Sequence, residues 1–353
     1  MHVADEPVTT APQLPKATEH HARALLRRPE QRRAPAVHRL PIARLRIRRR
    51  RSIEPIRLYY NHRWYAAGAV GAALGLLGLR QVGWRLAAGA GAIGALTWGH
   101  AAYGEPARPI LERVELRLPR LPAALDGLRI GHLTDLHLGF RYAEQNVAWA
   151  MEHMRREAPD LVALTGDFVS FQHAIPDLAP LLRGLRAPLG VYAVPGNHDY
   201  WEGVDDVRAA LSICDIPLLI NESRHLRLRG ADFWLVGLDD IWDGRIDVRA
   251  ALRGVPGDAF KLLLAHSPDF ADEAARHGFD VQLSGHTHGG HIRLPLLGPL
   301  GLPRFGRRYV MGQFQVGRTA VYVSRGLAGP PLRLLCPPEA TIITLRRGGS
   351  WGL

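Results

Sequence analysis

Five short motifs in the second half of this 353-residue chain carry side chains that can bind divalent metal ions. In chain order they are Asp-Leu-His at 135–137, Gly-Asp at 166–167, Gly-Asn-His-Asp at 196–199, a lone histidine at 266 and Gly-His-Thr-His at 285–288. Carboxylate, amide and imidazole groups without a thiolate suit Mn, Fe, Zn or Co at high coordination number, and they disfavour a structural cysteine-type zinc site. The motifs therefore predict metal-dependent chemistry.

The candidate ligands in these motifs are too many for one ion. They are the side chains of Asp135, His137, Asp167, Asn197, His266, His286 and His288. Two ions about 3.5 to 4 Å apart, with one carboxylate between them, would use the whole set. Each motif alone could occur by chance, but a glycine beside three of them lets the backbone turn sharply. We therefore predict a pair of divalent ions, with Mn, Fe, Zn and Co as the candidates.

The elements around the motifs predict how the ligands meet. Short apolar runs predict strands at 128–133, 161–164, 191–194, 233–236, 262–265 and 281–283. Amphipathic segments between them predict helices at 143–157, 175–186, 205–213 and 268–277. Strands that alternate with helices indicate an α/β domain with a largely parallel central sheet. Because ligands bind beyond the carboxyl ends of such strands, the five motifs should share one rim.

In this order the motifs resemble the calcineurin-like metallophosphoesterase superfamily, over roughly residues 125–345. The resemblance implies an α/β fold of two packed mixed β-sheets flanked by helices. It also divides the seven ligands into one bridging carboxylate and two sets of three, with Asp167 as the bridge, Asp135, His137 and His288 on the first ion, and Asn197, His266 and His286 on the second.

The resemblance gives further residues a part in catalysis. It implies that His198 stands beside the ions, contacts the phosphate and helps the leaving group depart, with Asp199 orienting it. His291 and Arg293 follow the last ligands directly, and for them a contact with the substrate phosphate and a structural role in the loop both remain open. Two divalent ions would neutralise the phosphate oxygens and lower the pKa of a water toward neutrality. The expected activity is therefore hydrolysis of a phosphate ester or pyrophosphate.

The end of the domain is similar to a bacterial, membrane-associated branch of the superfamily. The similarity rests on Gly-His-Thr-His-Gly-Gly-His-Ile-Arg-Leu-Pro at 285–295, Tyr-Val-Ser-Arg-Gly-Leu at 322–327 and Cys-Pro-Pro-Glu at 336–339. Some members of that branch hydrolyse UDP-2,3-diacylglucosamine during lipid A synthesis, so a lipid-linked phosphorylated substrate is expected. The alternatives are a phosphodiesterase that acts on soluble substrates and is only localised by its anchor, and an inactive scaffold.

The net charge of +12 lies ahead of this domain. Residues 1–63 hold fifteen Lys or Arg against five Asp or Glu, whereas residues 105–353 hold 28 of each. A protein that binds nucleic acid should carry its basic excess on the folded domain, so we expect no nucleic-acid partner. The two cysteines, Cys214 and Cys336, form no CxxC pair and are expected to be free thiols.

The composition of the sequence ahead of the domain predicts a tail and a membrane segment. Residues 1–63 are rich in Arg, Pro and His and are expected to be mostly disordered. The apolar segment 64–104 contains no acidic residue, and its halves, 65–79 and 86–103, are each a little shorter than the ~20 residues that cross a bilayer. We predict two short membrane helices there, with a buried helical hairpin of a soluble protein as the alternative.

The charges beside the apolar segment predict its orientation. If both halves span the inner membrane, the basic flanks favour the cytoplasmic side for both ends and for the catalytic domain. If only one half spans, the domain lies outside. A linker at 105–124 and a metallophosphoesterase domain at 125–347 complete the predicted organisation, and no oligomeric state is predicted.

Overall fold

The computed structural model describes residue 71 and residues 83–349. The predicted tail 1–63 and, apart from residue 71, the first apolar half 65–79 lie outside the described residues. In the second apolar half, helix α1 (Trp84–Gly99) continues into a π-helical turn, His100–Gly104. The predicted helix is therefore present in this half. Among the described residues, however, no helix has both the length and the apolar character needed to span a bilayer.

The first of two mixed sheets has five strands. In chain order they are β1 (Ile110–Leu118), β2 (Arg129–Leu133), β3 (Leu161–Thr165), β4 (Val191–Val194) and β13 (Glu339–Arg347). Their spatial order is β1-β13-β2-β3-β4, and only the pair β13–β2 is antiparallel. Strand β1 lies in the segment predicted as a linker, 105–124, so this prediction is wrong for residues 110–118. The apolar side chains of β1 that pack inward, such as Leu116, alternate with exposed charged ones.

The second sheet has six strands. In chain order they are β5 (Glu222–Leu228), β6 (Ala231–Gly237), β7 (Lys261–Leu264), β8 (Val281–Ser284), β11 (Gly312–Val316) and β12 (Thr319–Val323). The spatial order β11-β12-β8-β7-β6-β5 has three parallel pairs inside and an antiparallel hairpin at each edge. A two-stranded hairpin, β9 (Arg293–Leu294) with β10 (Gly298–Pro299), stands apart. The six predicted strands are confirmed, but they belong to two mixed sheets, as the family resemblance implied, and not to one largely parallel sheet.

Helices cover the outer faces of the sheets. They are α2 (Ala143–Glu157), α3 (Ile175–Leu182), α4 (Asn197–Glu202), α5 (Val204–Ser212), α6 (Val248–Ala251) and α7 (Ala271–Arg276). Alternate residues of β3 serve different layers: Val162 faces α2, whereas Leu161 and Ala163 pack toward the second sheet. Both faces of this strand are therefore buried, which explains its continuous apolar run.

Glu105 connects the chain ahead of β1 to the segment just before β13, near the end of the domain sequence. Its buried carboxylate accepts hydrogen bonds from the backbone N–H groups of Leu335, at 3.0 Å, and Cys336. We expect Glu105→Gln to lower the free energy of unfolding by about 1 to 3 kcal/mol, because an amide cannot accept both bonds as a carboxylate does. Chemical denaturation measures this. Glu152, which forms an exposed ion pair with Arg156 on α2, offers a control. Glu152→Gln should lower the free energy of unfolding by less than about 0.5 kcal/mol.

Candidate metal centre

The predicted ligands follow strands of both sheets and meet where those strands end. The first sheet supplies the loops at 134–138, 166–169 and 195–199, and the second supplies those at 265–267 and 285–288. Backbone hydrogen bonds join these loops: the N–H of Asp135 donates to Gly166 O at 3.0 Å, and that of Gly285 donates to His266 O at 3.0 Å. Between the sheets, the N–H of His286 donates to Asp135 Oδ2 at 3.0 Å. The loops of the two sheets therefore meet at one rim.

Asp135, His137 and His288 form the first group of potential ligands, and all three are buried. His288 Nε2 lies 3.3 Å from Asp135 Oδ1, and His137 Nε2 lies 3.7 Å from the same oxygen. The two imidazole nitrogens are 3.1 Å apart. Three ligand atoms therefore converge on one point, as a metal site requires.

Asp167, His266 and His286 form the second group, which is buried as well. His266 Nε2 lies 3.2 Å from Asp167 Oδ2 and 3.1 Å from His286 Nδ1. Asp167 Oδ2 is also 3.5 Å from His137 Nε2, so this carboxylate reaches both groups. Its position is the one that a bridging ligand would occupy.

Asn197 completes the predicted set. It begins helix α4, and the next backbone N–H, that of His198, donates to Asp167 Oδ1 at 2.9 Å, which holds this turn against the second group. The side chain of Asn197 is buried, and its carbonyl oxygen Oδ1 accepts no hydrogen bond. A buried amide oxygen without a donor costs about 1 to 3 kcal/mol, which a bound cation would offset.

Hydrogen bonds at the outer ring nitrogens show that the histidines suit a metal. His266 Nδ1 contacts Thr165 O and His286 Nε2 contacts Arg304 O, each at 2.6 Å. Since a carbonyl can only accept, these nitrogens carry a hydrogen, so the rings direct their other nitrogens, His266 Nε2 and His286 Nδ1, at each other, 3.1 Å apart. Both nitrogens can bind a cation once the proton on His266 Nε2 is displaced. The residues present therefore fit divalent metal ions.

His137 has a comparable partner in Ser170, whose hydroxyl lies 2.7 Å from its Nδ1. We expect Ser170→Ala to weaken metal binding about 10- to 100-fold, as losses of such outer contacts do, because the ring is no longer held with Nε2 toward the ions. Titration with Mn²⁺ followed by calorimetry measures the effect. Ser212→Ala is the matched control, since this exposed hydroxyl bonds only Arg208 O. Equal affinities for the two variants would contradict the role of Ser170.

The backbone at the site is strained. Asp135, His137, Asp167, His286 and His288 all have positive φ angles, between 44° and 71°. This conformation is rare for residues other than glycine and costs on the order of 1 to 3 kcal/mol each. Strain at five of the seven candidate ligands indicates that the fold is stable enough to hold them in place for function.

The carboxylates and imidazoles of the site shift one another's pKa values. Burial would raise the pKa of Asp135 and of Asp167, but the neighbouring imidazoles, His288 for Asp135 and His266 for Asp167, hold both below their ordinary values. Burial would lower the pKa of His266, but Asp167 outweighs it and raises the pKa to about 10. Burial and His266 together lower the pKa of His286 to about 4. A cation that binds here therefore finds ionised carboxylates and must displace a proton from the second group.

His198 lies beside the candidate ligands and is half-buried. Its ring centroid is 4.6 Å from that of His137 and 4.4 Å from that of Trp201. Asp199 is fully buried and accepts hydrogen bonds from the backbone N–H groups at 167, 168 and 196, at 2.8 to 2.9 Å. Asp199 thus joins the loops after β3 and β4, and its orientation of His198 stays a prediction.

The structure places His291 and Arg293 next to the ligands. The ring of His291 stacks on that of His288, with centroids 4.5 Å apart, and Arg293 donates from Nη1 to Gly289 O at 3.2 Å. Both contacts serve the loop that carries His288. The alternative role, contact with a substrate phosphate, stays a prediction.

Two aromatic residues outside the predicted site stand at the second group. Trp242 packs edge-on against His286, with centroids 5.9 Å apart, and against Trp201 at 5.6 Å. Phe305 lies 6.4 Å from Trp242. Each ring is half-buried, so the three form a wall beside the candidate ligands that a substrate could contact. Their separation along the chain leaves no local pattern that could have identified them.

Comparison with known proteins agrees with this site. The calcineurin-like phosphoesterase family matches residues 128–290. The uncharacterized metallophosphoesterase YkuE of Bacillus subtilis is 34% identical over 272 residues, which cover 73% of this chain and 94% of that protein. The phosphodiesterase YaeI of Escherichia coli is 30% identical over 255 residues, covering 70% and 92%.

Two further similarities concern a longer protein and a solved structure. A Bos taurus transmembrane protein with a metallophosphoesterase domain is 34% identical over 260 residues, covering 67% of this chain and 57% of that protein. The crystal structure of a dimetal phosphatase from Danio rerio is 13% identical, with a TM-score of 0.39, and covers 58% of this chain and 90% of that one.

The extent of the match to YkuE shows that this chain belongs to the calcineurin-like phosphoesterase family. It is accordingly a hydrolase that acts on phosphoester bonds.

Proposed function

We propose that this protein is a two-metal phosphoesterase that works at a membrane surface on a lipid-linked phosphate ester or pyrophosphate. The observation that carries the two-metal part is the position of Asp167, which lies 3.2 Å from His266 and 3.5 Å from His137 and so reaches both groups of potential ligands. The unpartnered carbonyl oxygen of Asn197 supports a cation in the second group.

The chemistry divides between the ions and the chain. When bound, a pair of divalent ions would neutralise the phosphate charge and make a nucleophilic water available near neutral pH. Asp135 and Asp167 would supply the negative charge that holds the ions, and Ser170, Thr165 and Arg304 fix the ring orientations of the histidines. Asp199 holds the loops after β3 and β4 in register.

His198 is the residue proposed to act on the leaving group. Its half-buried ring stands next to His137 and Trp201, at the border between the ligands and the aromatic wall. A protonated imidazole there can stabilise the charge that develops on the departing oxygen, or donate a proton to it.

Three observations support the membrane part of the proposal. Residues 1–63 carry a charge excess of +10, which would be attracted to the anionic cytoplasmic leaflet. Residues 86–104 contain no charged side chain apart from the single histidine at 100. A relative from Bos taurus is named as a transmembrane protein. We therefore propose the inner membrane as the location, with the catalytic domain on its cytoplasmic side.

Two assays test the proposal in sequence. Hydrolysis of bis-p-nitrophenyl phosphate by the full chain with Mn²⁺ is expected, and its absence across Mn²⁺, Fe²⁺, Zn²⁺ and Co²⁺ would favour an inactive scaffold. Hydrolysis of UDP-2,3-diacylglucosamine in detergent then tests the lipid-linked class, with analysis of the products to locate the broken bond. Activity on soluble diesters alone would favour the soluble-substrate phosphodiesterase.

A further inference from the structure

A hairpin next to the metal centre exposes large apolar side chains to solvent. The turn of β9–β10 carries Leu296 and Leu297, which are 106% and 75% exposed, and Leu300 follows at 56%. Leu296 also has a positive φ of 68°, so the backbone is strained where its side chain protrudes. Exposed leucines grouped in this way are typical of an interaction surface.

Helix α1 carries a second exposed apolar surface. Leu86, Ile93 and Leu96 are 71%, 68% and 75% exposed, and the described residues from 88 to 97 are all exposed. A helix with no polar face is normally buried in a core or in lipid.

The hairpin and the end of α1 adjoin through one strip of chain, residues 332–335. Leu334 forms a parallel bridge with Ile292, just ahead of β9, and Arg333 N donates to Ala101 O at 2.9 Å. Trp98 packs against the same small apolar cluster. Leu335, in this strip, is itself 58% exposed. The exposed apolar residues thus belong to neighbouring parts of one region.

The chain that forms the hairpin and follows it has an excess of basic side chains. Residues 281–338 contain no Asp or Glu and seven arginines, of which Arg308 pairs with Asp272, Arg325 pairs with Glu112 and Glu339, and Arg333 is buried. Arg304 and Arg307 follow the hairpin and are exposed, and the guanidinium of Arg304 lies over the ring of Phe305 at 4.6 Å. An apolar tip with a basic rim complements an anionic lipid surface, whereas two copies of the same basic region would repel each other.

We propose that the hairpin β9–β10 docks on a bilayer that contains anionic lipid, with Leu296 and Leu297 inserted and with Arg304 and Arg307 at the lipid phosphates. This deepens the proposed function and rests on its membrane part, since it names the surface through which the enzyme would meet its substrate. The hairpin is joined to the metal centre on both sides: His291 stacks on a candidate ligand ahead of it, and the Arg304 carbonyl orients another after it. Docking there would place the site at the lipid headgroups.

Hydrogen–deuterium exchange of the full chain tests this docking locally. We expect vesicles of phosphatidylcholine with phosphatidylglycerol to slow amide exchange over 291–303 and to leave α5 unchanged. Because exchange is read segment by segment, binding by residues 1–63 cannot produce the expected result. Unchanged exchange at 291–303 would overturn the proposal, as would slowing that grows with protein concentration in the absence of vesicles, which would indicate self-association.

A pair of variants gives the matched comparison. Leu296→Asp/Leu297→Asp should abolish the protection at 291–303, whereas Ile213→Asp, at an exposed apolar residue after α5, should retain it. Unchanged hydrolysis of bis-p-nitrophenyl phosphate shows that each variant is folded, and Leu300→Ser serves as a milder substitution. Protection that survives in the double variant would overturn the proposal. A protein that docks but does not cleave lipid substrates would refute the proposed substrate class alone.

Discussion

Asp167→Asn is expected to lower the hydrolysis of bis-p-nitrophenyl phosphate by at least about 10³-fold, beyond the 10- to 100-fold typical of contacts one step removed from a metal. The reason is the position of the carboxylate, which lies within 3.5 Å of a histidine nitrogen in each of the two ligand groups. Asparagine keeps the shape but removes the negative charge that both ions would share. The variant should also bind fewer ions per chain, measured by elemental analysis after loading with excess Mn²⁺.

Two comparisons make this result specific. Asn197→Ala removes a candidate ligand of the second ion only, so its loss of activity should be smaller. Asp205→Asn makes the same chemical change at an exposed residue of α5 and should leave activity and metal content unaltered. Full activity of metal-loaded Asp167→Asn, or a larger loss in Asn197→Ala, would contradict the bridging role.

The ligand set could be predicted because each ligand directly follows a strand whose apolar run is visible in the sequence. β3 and β8, for example, are buried along their whole length, so their ends were clear, and Asp167 and His286 follow within two residues. The positive φ angles at these ligands could not be predicted. Asp and His adopt positive φ more often than most residues other than glycine, but this preference does not identify which of them do so. Hydrogen bonds donated by the backbone N–H groups of Asp167 and His286 hold these two in that conformation.

Strand β1 shows where local pattern fails. Its partner β13 lies more than 200 residues further along the chain, and its charged residues, such as Arg113 and Glu115, lower the apolar content that would have identified it. The alternation of apolar Val114, Leu116 and Leu118 with charged residues was the one local pattern that indicated a strand. Choosing a partner for an edge strand depends on the assembled sheet, which the sequence of the strand does not contain.

The groups that orient the histidines were also beyond prediction. Thr165 and Arg304 act through their backbone carbonyls, so the residue type carries no information about this role. Ser170 was closer to recognition, because it follows Asp167 by three residues in the same loop. Sequence thus identifies side chains that bind ions more readily than the backbone groups that position them.

His198→Gln is expected to slow hydrolysis by about 10²- to 10⁴-fold for a diester with a poor, alkyl leaving group, the usual contribution of a positioned acid. The loss should be much smaller for bis-p-nitrophenyl phosphate, because nitrophenolate departs without a proton. His198 stands beside His137, 4.6 Å between ring centroids, and is half-buried, so it can reach a bound substrate. Rates for both substrates, measured with saturating Mn²⁺, give the ratio that identifies an acid.

The ratio of the two losses separates protonation of the leaving group from other roles of the ring. Elemental analysis should find the metal content of His198→Gln unchanged, because the seven candidate ligands remain. His225→Gln is the matched control, since this exposed histidine pairs with Asp232 at 3.0 Å on the far edge of the second sheet and should not affect either substrate. Equal losses for the two substrates, or a loss of metal, would instead assign His198 to phosphate binding or to the metal centre, because only an acid distinguishes leaving groups by their need for a proton.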